Sequence, residues 1–338
     1  MDKVVLQTNE IFDDFTVFDQ PFVTREGHPV LAHVLLPRCL PGSSSQPSPI
    51  IVNWHGGYLV GGHGVLAMFF PPLLLRLAKK HSAIIVSPDY ALLPRKEGLP
   101  SVQADAEAFH GWLHSSLAET LAEKAPGREA DLTRVLLHGG SAGAYLALSS
   151  ALAHPRSYRC LSLMYPMIDF DTDWWRRGSR AVGAPNPARL PDAAFPADDQ
   201  AVVDQLEKFR EGPTVTMPGD ERDGFGAWLA RAGLFSEILN PGGGLDDDSA
   251  AWLNRRVKQG AELPGRIWVL HADGDTVVPI ETSLGFAQTM KLQGRPVRLD
   301  IVRGLDHMCD MAVTEDWKGS DDAVVLDAAE WLVEKWLE

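Results

Sequence analysis

The sequence predicts an α/β fold: a mostly parallel central sheet, flanked by helices, with a helical insertion. Three observations support this class. Short apolar segments alternate with helical segments from residue 50 onward, which is typical of parallel sheets covered on both faces. A glycine-dense turn at residues 139–143 separates an apolar strand from an apolar helix. The alternation stops near residue 170 and resumes near residue 263, which marks the insertion.

The individual elements follow from the apolar pattern, taken in chain order. Residues 10–36 alternate as antiparallel strands do and include a turn at residues 25–28. Short, mainly apolar runs predict the later strands, and longer periodic or apolar segments predict the helices. The predicted strands are 50–54, 83–87, 134–138, 161–165, 267–271 and 297–302, and the predicted helices are 66–80, 101–113, 144–153, 281–292 and 321–337.

The chain is long enough for more than one core of ordinary size, with 338 residues. We assign residues 1–169 and 263–338 to the α/β core. Residues 170–262 are rich in proline, glycine and charge and contain no clear strand. This segment is predicted to be an insertion over one end of the sheet.

Composition excludes several functional classes. The net charge of −14 argues against nucleic acid and anionic membrane surfaces as partners. Cys39, Cys160 and Cys309 lie far apart without a C-x-x-C pair, so neither a disulfide framework nor a zinc site is indicated. Residues 1–8 lack the pattern of a signal peptide, and the apolar run 65–75 is short for a membrane span. We therefore expect a cytoplasmic protein.

Ser141 occupies the centre of a G-x-S-x-G pattern formed with Gly139 and Gly143. A serine on a sharp strand-to-helix turn takes strained backbone angles, so its neighbours must lack bulk. Its hydroxyl then stands clear of the sheet, and the following helix points N–H groups at developing negative charge. The alternative is a serine that merely caps an ordinary helix.

A nucleophilic serine needs a base and an acid that orients the base. In open α/β sheets such groups lie at the carboxyl ends of the strands. His307 is the histidine that follows the last strand, and a solvated loop histidine is the alternative. Asp275 follows strand 267–271 and is favoured over Asp273 as the acid, although both carboxylates could instead belong to an Asp-Gly turn.

The segment His55-Gly56-Gly57-Tyr58 follows an early strand and is the candidate oxyanion site. Its glycines allow the backbone to turn N–H groups inward, and the N–H after the serine would complete the site. The predicted donors are the backbone N–H groups of Gly57, Tyr58 and Ala142. His55 is expected to brace this loop, with Gly56, rather than react. No pair among His55, His63 and His138 has a metal-ligand spacing, so we expect no metal.

Five motifs together carry a family resemblance. They are His55-Gly56-Gly57, Asp89-Tyr90-Ala91-Leu92-Leu93-Pro94, Gly139 to Gly143, Asp275 with Val278-Pro279, and His307. The chain resembles hormone-sensitive-lipase-like carboxylesterases of the α/β-hydrolase fold, whose serine, acid and histidine follow in this order. Tyr58 departs from the family's small residue, and Ala91 and Leu93 replace its arginine and alanine.

The resemblance implies a serine hydrolase that cleaves carboxylic esters of small to medium apolar substrates through an acyl-enzyme on Ser141, without a cofactor. It implies that residues 170–262, with a contribution from the N-terminal residues, form a cap over the active site, and that a homodimer is a candidate assembly. The ring of Tyr58 would narrow the acyl pocket or reach the substrate. Apolar side chains of the cap would line a pocket, or would instead form the cap's own core: Trp174, Trp175, Phe195, Phe209, Met217, Phe225, Trp228, Phe235 and Trp252.

Two other functions remain open at this point. A lactonase, or an acyl-transferring or product-releasing hydrolase of secondary metabolism, would carry the same motifs. Some relatives of this fold bind a small ligand without catalysis and have lost the base histidine. Because His307 is present, a receptor is less consistent with the sequence.

Overall fold

A computed structural model describes residues 8–38, 46–246, 249–312 and 320–338. Its strands and helices account for most of the described chain. The strands are β1 (Phe15–Arg25), β2 (His28–Pro37), β3 (Ser48–Trp54), β4 (Ile84–Pro88), β5 (Ala130–Gly140), β6 (Cys160–Met164), β7 (Arg266–Ala272) and β8 (Val297–Val302). The helices are α1 (Pro72–His81), α2 (Leu99–Ser115), α3 (Leu117–Lys124), α4 (Gly143–Ala153), α5 (Asp173–Arg177), α6 (Asp199–Glu211), α7 (Phe225–Ala232), α8 (Phe235–Leu239), α9 (Leu253–Lys258), α10 (Glu281–Leu292) and α11 (Ser320–Leu337).

The strands form one sheet in the order β1-β2-β4-β3-β5-β6-β7-β8. β1 and β2 pair antiparallel, β2 pairs antiparallel with β4, and every later pair is parallel. The prediction of a mostly parallel sheet flanked by helices is confirmed. Parallel pairing brings the carboxyl ends of β5, β6, β7 and β8 to one edge of the sheet.

Both faces of the sheet are buried. Ile50 and Val52 of β3 pack on one face with α2, α4 and α10, whereas Ile51 packs on the other face with α1 and α11. This alternation follows from the two-residue period of side chains along a strand. All but the last residue of α4 are buried, which explains why its sequence is apolar on every side.

The helix predicted at 66–80 begins only at Pro72. A proline disfavours helical angles in the residue before it, and Pro71 is accordingly extended with ψ near 119°. Pro72 itself fits the first helical position, because its missing N–H has no partner there in any helix. The residues ahead of the two prolines contribute a short 3₁₀ turn at Ala67–Phe69.

Between β6 and β7 the described residues of segment 170–262 contain α5 to α9 and no strand. Its buried aromatic side chains contact one another and join the hydrophobic core on one face of the sheet. Edge-to-face pairs join Phe209 to Phe225 and Trp175 to Phe235, with ring centroids 4.9 and 4.8 Å apart. We refer to residues 170–262 as the insertion.

The turn between β5 and α4 places Ser141 in the left-handed region, with φ near +53°. Its two flanking glycines have no room for a side chain. A Cβ at Gly139 would lie 2.3 Å from the carbonyl oxygen of Gly143, and one at Gly143 would lie 2.0 Å from that of Trp54. The capping alternative is wrong, because Ala142 is the residue before α4 and no side chain caps that helix.

The expectations about cysteines, a signal peptide and a membrane span can be compared with the structure only in part. Cys39 and the segment Met1 to Gln7 lie outside the described residues. Cys160 and Cys309 are buried and free. Among the described helices, none combines the length and low charge that a bilayer crossing requires.

The two close approaches predict which glycine substitutions destabilise the turn. Gly139→Ala and Gly143→Ala should each lower the free energy of unfolding by about 1–3 kcal/mol, because the methyl group meets backbone that cannot yield. Gly140→Ala is the matched control, since its Cβ would lie 3.4 Å from the Tyr165 hydroxyl, an ordinary contact. Urea unfolding of the three variants measures the difference, and equal losses in all three would contradict this account of the turn.

His138 on β5 generates a pH-dependent prediction. Its ring is 2% exposed, and burial lowers its pKa to about 3. Between that value and the ordinary pKa near 6.5, the unfolded chain binds a proton that the folded chain does not, so stability is lost as pH falls through this window. The difference in unfolding free energy between wild type and His138→Gln should shift by about 2 kcal/mol from pH 7 to pH 5.

The comparison needs a second histidine variant. His28→Gln alters an exposed residue at the start of β2 and serves as the control. A difference between wild type and His138→Gln that stays constant with pH would show that His138 does not titrate as its burial requires.

Candidate active site

Ser141, His307 and Asp275 form a continuous chain of hydrogen bonds. The Oγ of Ser141 lies 3.0 Å from Nε2 of His307, and Nδ1 of His307 lies 2.8 Å from Oδ2 of Asp275. With the proton on Nδ1, the imidazole donates to the carboxylate and leaves Nε2 free to accept from the serine hydroxyl. Ser141 lies in the turn after β5, Asp275 in the loop after β7 and His307 in the loop after β8.

The carboxylate of Asp275 is fully buried and well satisfied. Its Oδ1 accepts from the backbone N–H groups of Val277 and Val278, both at 2.8 Å. Burial raises the pKa of this carboxyl, but the neighbouring rings of His307 and His271 lower it more, so the net pKa of Asp275 lies well below its usual range. Asp275 is therefore ionised and fixed in orientation.

The competing residue, Asp273, makes a different contact. Its carboxylate accepts from the backbone N–H of Gly304 at 2.7 Å and, among the described residues, makes no hydrogen bond or ion pair with His307. Another carboxylate, that of Asp306, holds the loop that carries the histidine. It accepts from the backbone N–H groups of His307 and Thr276, both at 2.8 Å. Asp273 and Asp306 therefore hold the loops around His307, whereas Asp275 contacts the His307 ring itself.

The oxyanion candidates lie beside the serine. A Cβ on Gly56 would be 3.3 Å from both the Gly140 carbonyl oxygen and the Ser141 Cβ, so the 55–58 loop packs against the turn. Gly57 and Tyr58 have positive φ angles of 110° and 57°. Within the described residues, the backbone N–H groups of Gly57, Tyr58 and Ala142 make no hydrogen bond. These donors are available to a ligand.

His55 holds the backbone of this loop. Its Nδ1 lies 2.7 Å from the carbonyl oxygen of Gly56, and its ring stacks on Tyr90 with centroids 4.2 Å apart. Burial lowers the pKa of His55 to about 4, so the ring is neutral near pH 7 and Nδ1 carries the proton that it donates. This hydrogen bond holds the loop in place, and His55 is not assigned a role in proton transfer.

Tyr165 and Asp310 pack beside the base and were not anticipated. The Tyr165 hydroxyl donates to Oδ1 of Asp310 at 2.6 Å, and the tyrosine ring meets His307 edge-on, with centroids 4.4 Å apart. Burial raises the pKa of Asp310, which its bond to Tyr165 partly offsets. Only one signal in the sequence pointed here: Tyr165 comes directly after β6, at the same edge of the sheet as the serine.

A cavity of about 500 Å³ contains Ser141 and His307. Its walls come from the core and from residues 188–227 of the insertion. The expectation that the insertion's aromatic side chains line this cavity is wrong, because none of the nine large side chains named above does so. Most of them belong to the hydrophobic core, in line with the alternative, whereas Met217 is exposed. Aromatic walls come instead from the core: Trp54, Tyr58, Phe69 and Tyr165.

Tyr58 joins the loop to the insertion. Its ring lies so close to α7 that a Cβ on Gly226 would be 2.4 Å from the ring, and Phe235 lies 5.7 Å away between centroids. Burial raises the pKa of the Tyr58 hydroxyl, which has no hydrogen-bond partner among the described residues. The ring narrows the cavity, as the sequence suggested. Within the described residues no group of three or more side chains could hold a metal ion.

Comparison with known proteins agrees with this architecture. The model of a family described as having the alpha/beta hydrolase fold matches residues 51–200. The chain is 30% identical over 320 residues to "Probable carboxylesterase M8" of Phoma sp., which covers 91% of this chain and 95% of that protein. It is also 30% identical over 204 residues to "Probable carboxylesterase clz11" of Cochliobolus lunatus, covering 58% of this chain and 86% of that one.

Solved structures show the same fold at lower sequence identity. Esterase LipW from Mycobacterium marinum superposes with a TM-score of 0.61 at 20% identity, covering 96% of this chain and 83% of that one. At this identity the likeness supports the fold alone. The near full-length relationship to the Phoma protein does more: the chain belongs to the α/β-hydrolase family, and its resemblance to the hormone-sensitive-lipase-like carboxylesterases is confirmed.

Proposed function

We propose that the protein is a carboxylesterase that acts through Ser141, His307 and Asp275. The observation that carries this proposal is the unbroken hydrogen-bond chain of the three side chains beside free backbone donors, inside a cavity large enough for a small ester. The matched relatives are named carboxylesterases, which favours ester hydrolysis over lactone opening or acyl transfer.

In this mechanism the Ser141 Oγ attacks the ester carbonyl while Nε2 of His307 takes its proton. The negative charge that develops on the carbonyl oxygen is stabilised by the N–H groups of Gly57, Tyr58 and Ala142. Asp275 holds the imidazole in the required tautomer and stabilises its charged form. His307 then gives the proton to the departing alcohol, and a water molecule, activated in the same way, hydrolyses the acyl-enzyme.

We also propose that the insertion acts as a cap. What supports this role is that residues 188–227 share the walls of the cavity with Ser141.

The two buried free thiols support action in a reducing, cytoplasmic compartment. Fractionation of source cells tests that location, and recovery of the protein outside the cytoplasm would reject it.

The proposal predicts the effect of removing the nucleophile. Ser141→Ala should lower turnover of 4-nitrophenyl butyrate by about 10⁴–10⁶-fold, because the acyl-enzyme cannot form. Ser115→Ala changes an exposed serine of α2 and should keep wild-type turnover. Circular dichroism and thermal unfolding check that both variants are folded. Undiminished turnover in folded Ser141→Ala would reject this mechanism.

A further inference from the structure

Arg222 is a buried arginine in the wall of the cavity that contains Ser141. It lies in a short turn ahead of α7 and is 6% exposed. Within the described residues, no carboxylate lies within ion-pair distance of its guanidinium. Its neighbour Glu221 is exposed to solvent. A buried charge without a partner of opposite sign is costly, so this arrangement requires a physical reason.

The contacts of Arg222 fix its position and leave one edge unused. Nη1 donates to the carbonyl oxygens of Val60 and Leu93 at 2.9 and 2.6 Å, and the guanidinium lies 4.4 Å from the centre of the Phe209 ring. Arginine has five N–H donors. The other three, on Nε and Nη2, make no hydrogen bond within the described chain, and Nε is fully buried.

The burial of Nε closes that donor to a ligand, whereas Nη2 is unpaired and not fully buried. Its N–H groups can donate to a carboxylate oxygen in a charge-assisted hydrogen bond. Because Val60, Leu93 and Phe209 already hold the side chain in place, little conformational entropy is lost when such a ligand binds. Burial lowers the pKa of Arg222 to about 10, which leaves it cationic near neutral pH.

The rest of the cavity offers an anion no comparable partner. Its walls are mainly apolar, with Leu66, Met68 and Phe69 among them. Asp220 and Asp223 also border the cavity, but both are exposed to solvent, where water and salt screen their charge. Arg222 is therefore the buried cation of this cavity within the described residues.

We propose that Arg222 binds a carboxylate group of the substrate, so that the preferred substrates are esters that also carry a free carboxylic acid. The inference rests on the proposed function and specifies its substrate class. The ester group is cleaved at Ser141, and the carboxylate remains paired with the guanidinium during the reaction. Val60, which accepts from Arg222, lies two residues after Tyr58, so the same arginine also ties the insertion to the oxyanion loop.

The test uses pairs of substrates that differ only in one charge. In the acyl series, mono-4-nitrophenyl esters of dicarboxylic acids with six to ten carbons are compared with the corresponding 4-nitrophenyl methyl diesters. In the alcohol series, 4-carboxyphenyl butyrate is compared with its methyl ester. The acid should exceed its methyl ester in kcat/KM by at least about tenfold in one series, the gain expected of one charge-assisted hydrogen bond.

Substitution of Arg222 tests whether this residue causes the preference for acids over their methyl esters. The acid-to-ester ratio should fall to about one or below in Arg222→Met. It should remain intermediate in Arg222→Lys, which keeps the charge but not the planar guanidinium. A ratio within one preparation is independent of the fraction of folded enzyme, so partial misfolding cannot mimic the result. Arg231→Met is the matched control, because Arg231 lies on α7 and is already paired with Asp192. Its ratio should equal that of wild type.

A binding measurement separates this inference from the proposed function. Calorimetric titration of Ser141→Ala with the same pairs reports recognition without turnover. If the acids bind more tightly than their methyl esters but wild type hydrolyses neither, the proposed function fails and the carboxylate site stands. If neutral esters are hydrolysed and wild type shows no preference for the acids, or if Arg222→Met keeps the preference, the carboxylate site is rejected.

Discussion

The whole site depends on the parallel register of four strands. Gly140 of β5 pairs with Met164 of β6, Met164 pairs with Leu270 of β7, and Ala272 pairs with Val302 of β8. The four strands therefore end together at one edge, although residues 140 and 302 are far apart in sequence. Neighbouring strands lie about 4.8 Å apart, so three short loops are enough to bring a hydroxyl, an imidazole and a carboxylate together.

Buried electrostatics then fix the arrangement. Asp275 remains ionised in a dry environment because two imidazoles and two backbone N–H groups offset its burial. His55 is kept neutral by the same burial that lowers its pKa, and so can support the loop with a single directed hydrogen bond. At the same edge of the sheet, the surroundings therefore keep Asp275 ionised and His55 neutral.

The fold class and the three side chains of the candidate site could be predicted from the sequence, because each is indicated by a short run of neighbouring residues. Steric crowding confines the five-residue G-x-S-x-G motif to a strand-to-helix turn, and this motif identifies Ser141. Its position after the last strand distinguishes His307 from the other histidines. Contacts between distant segments were not accessible. Tyr165 meets Asp310 across 145 positions, and Arg222 meets Val60 across 162. Composition also could not tell whether the insertion's aromatic rings line the cavity, and none of those named above does so.

The central claim is that the hydroxyl of Ser141 is an activated nucleophile. Its most direct measurement is the site of covalent labelling by a fluorophosphonate, read by intact mass and peptide mapping. The account predicts one adduct per chain, on the peptide that contains Ser141, and much slower labelling when His307 is replaced by alanine. An unlabelled chain, or an adduct on a different serine with Ser141 unmodified, would contradict it.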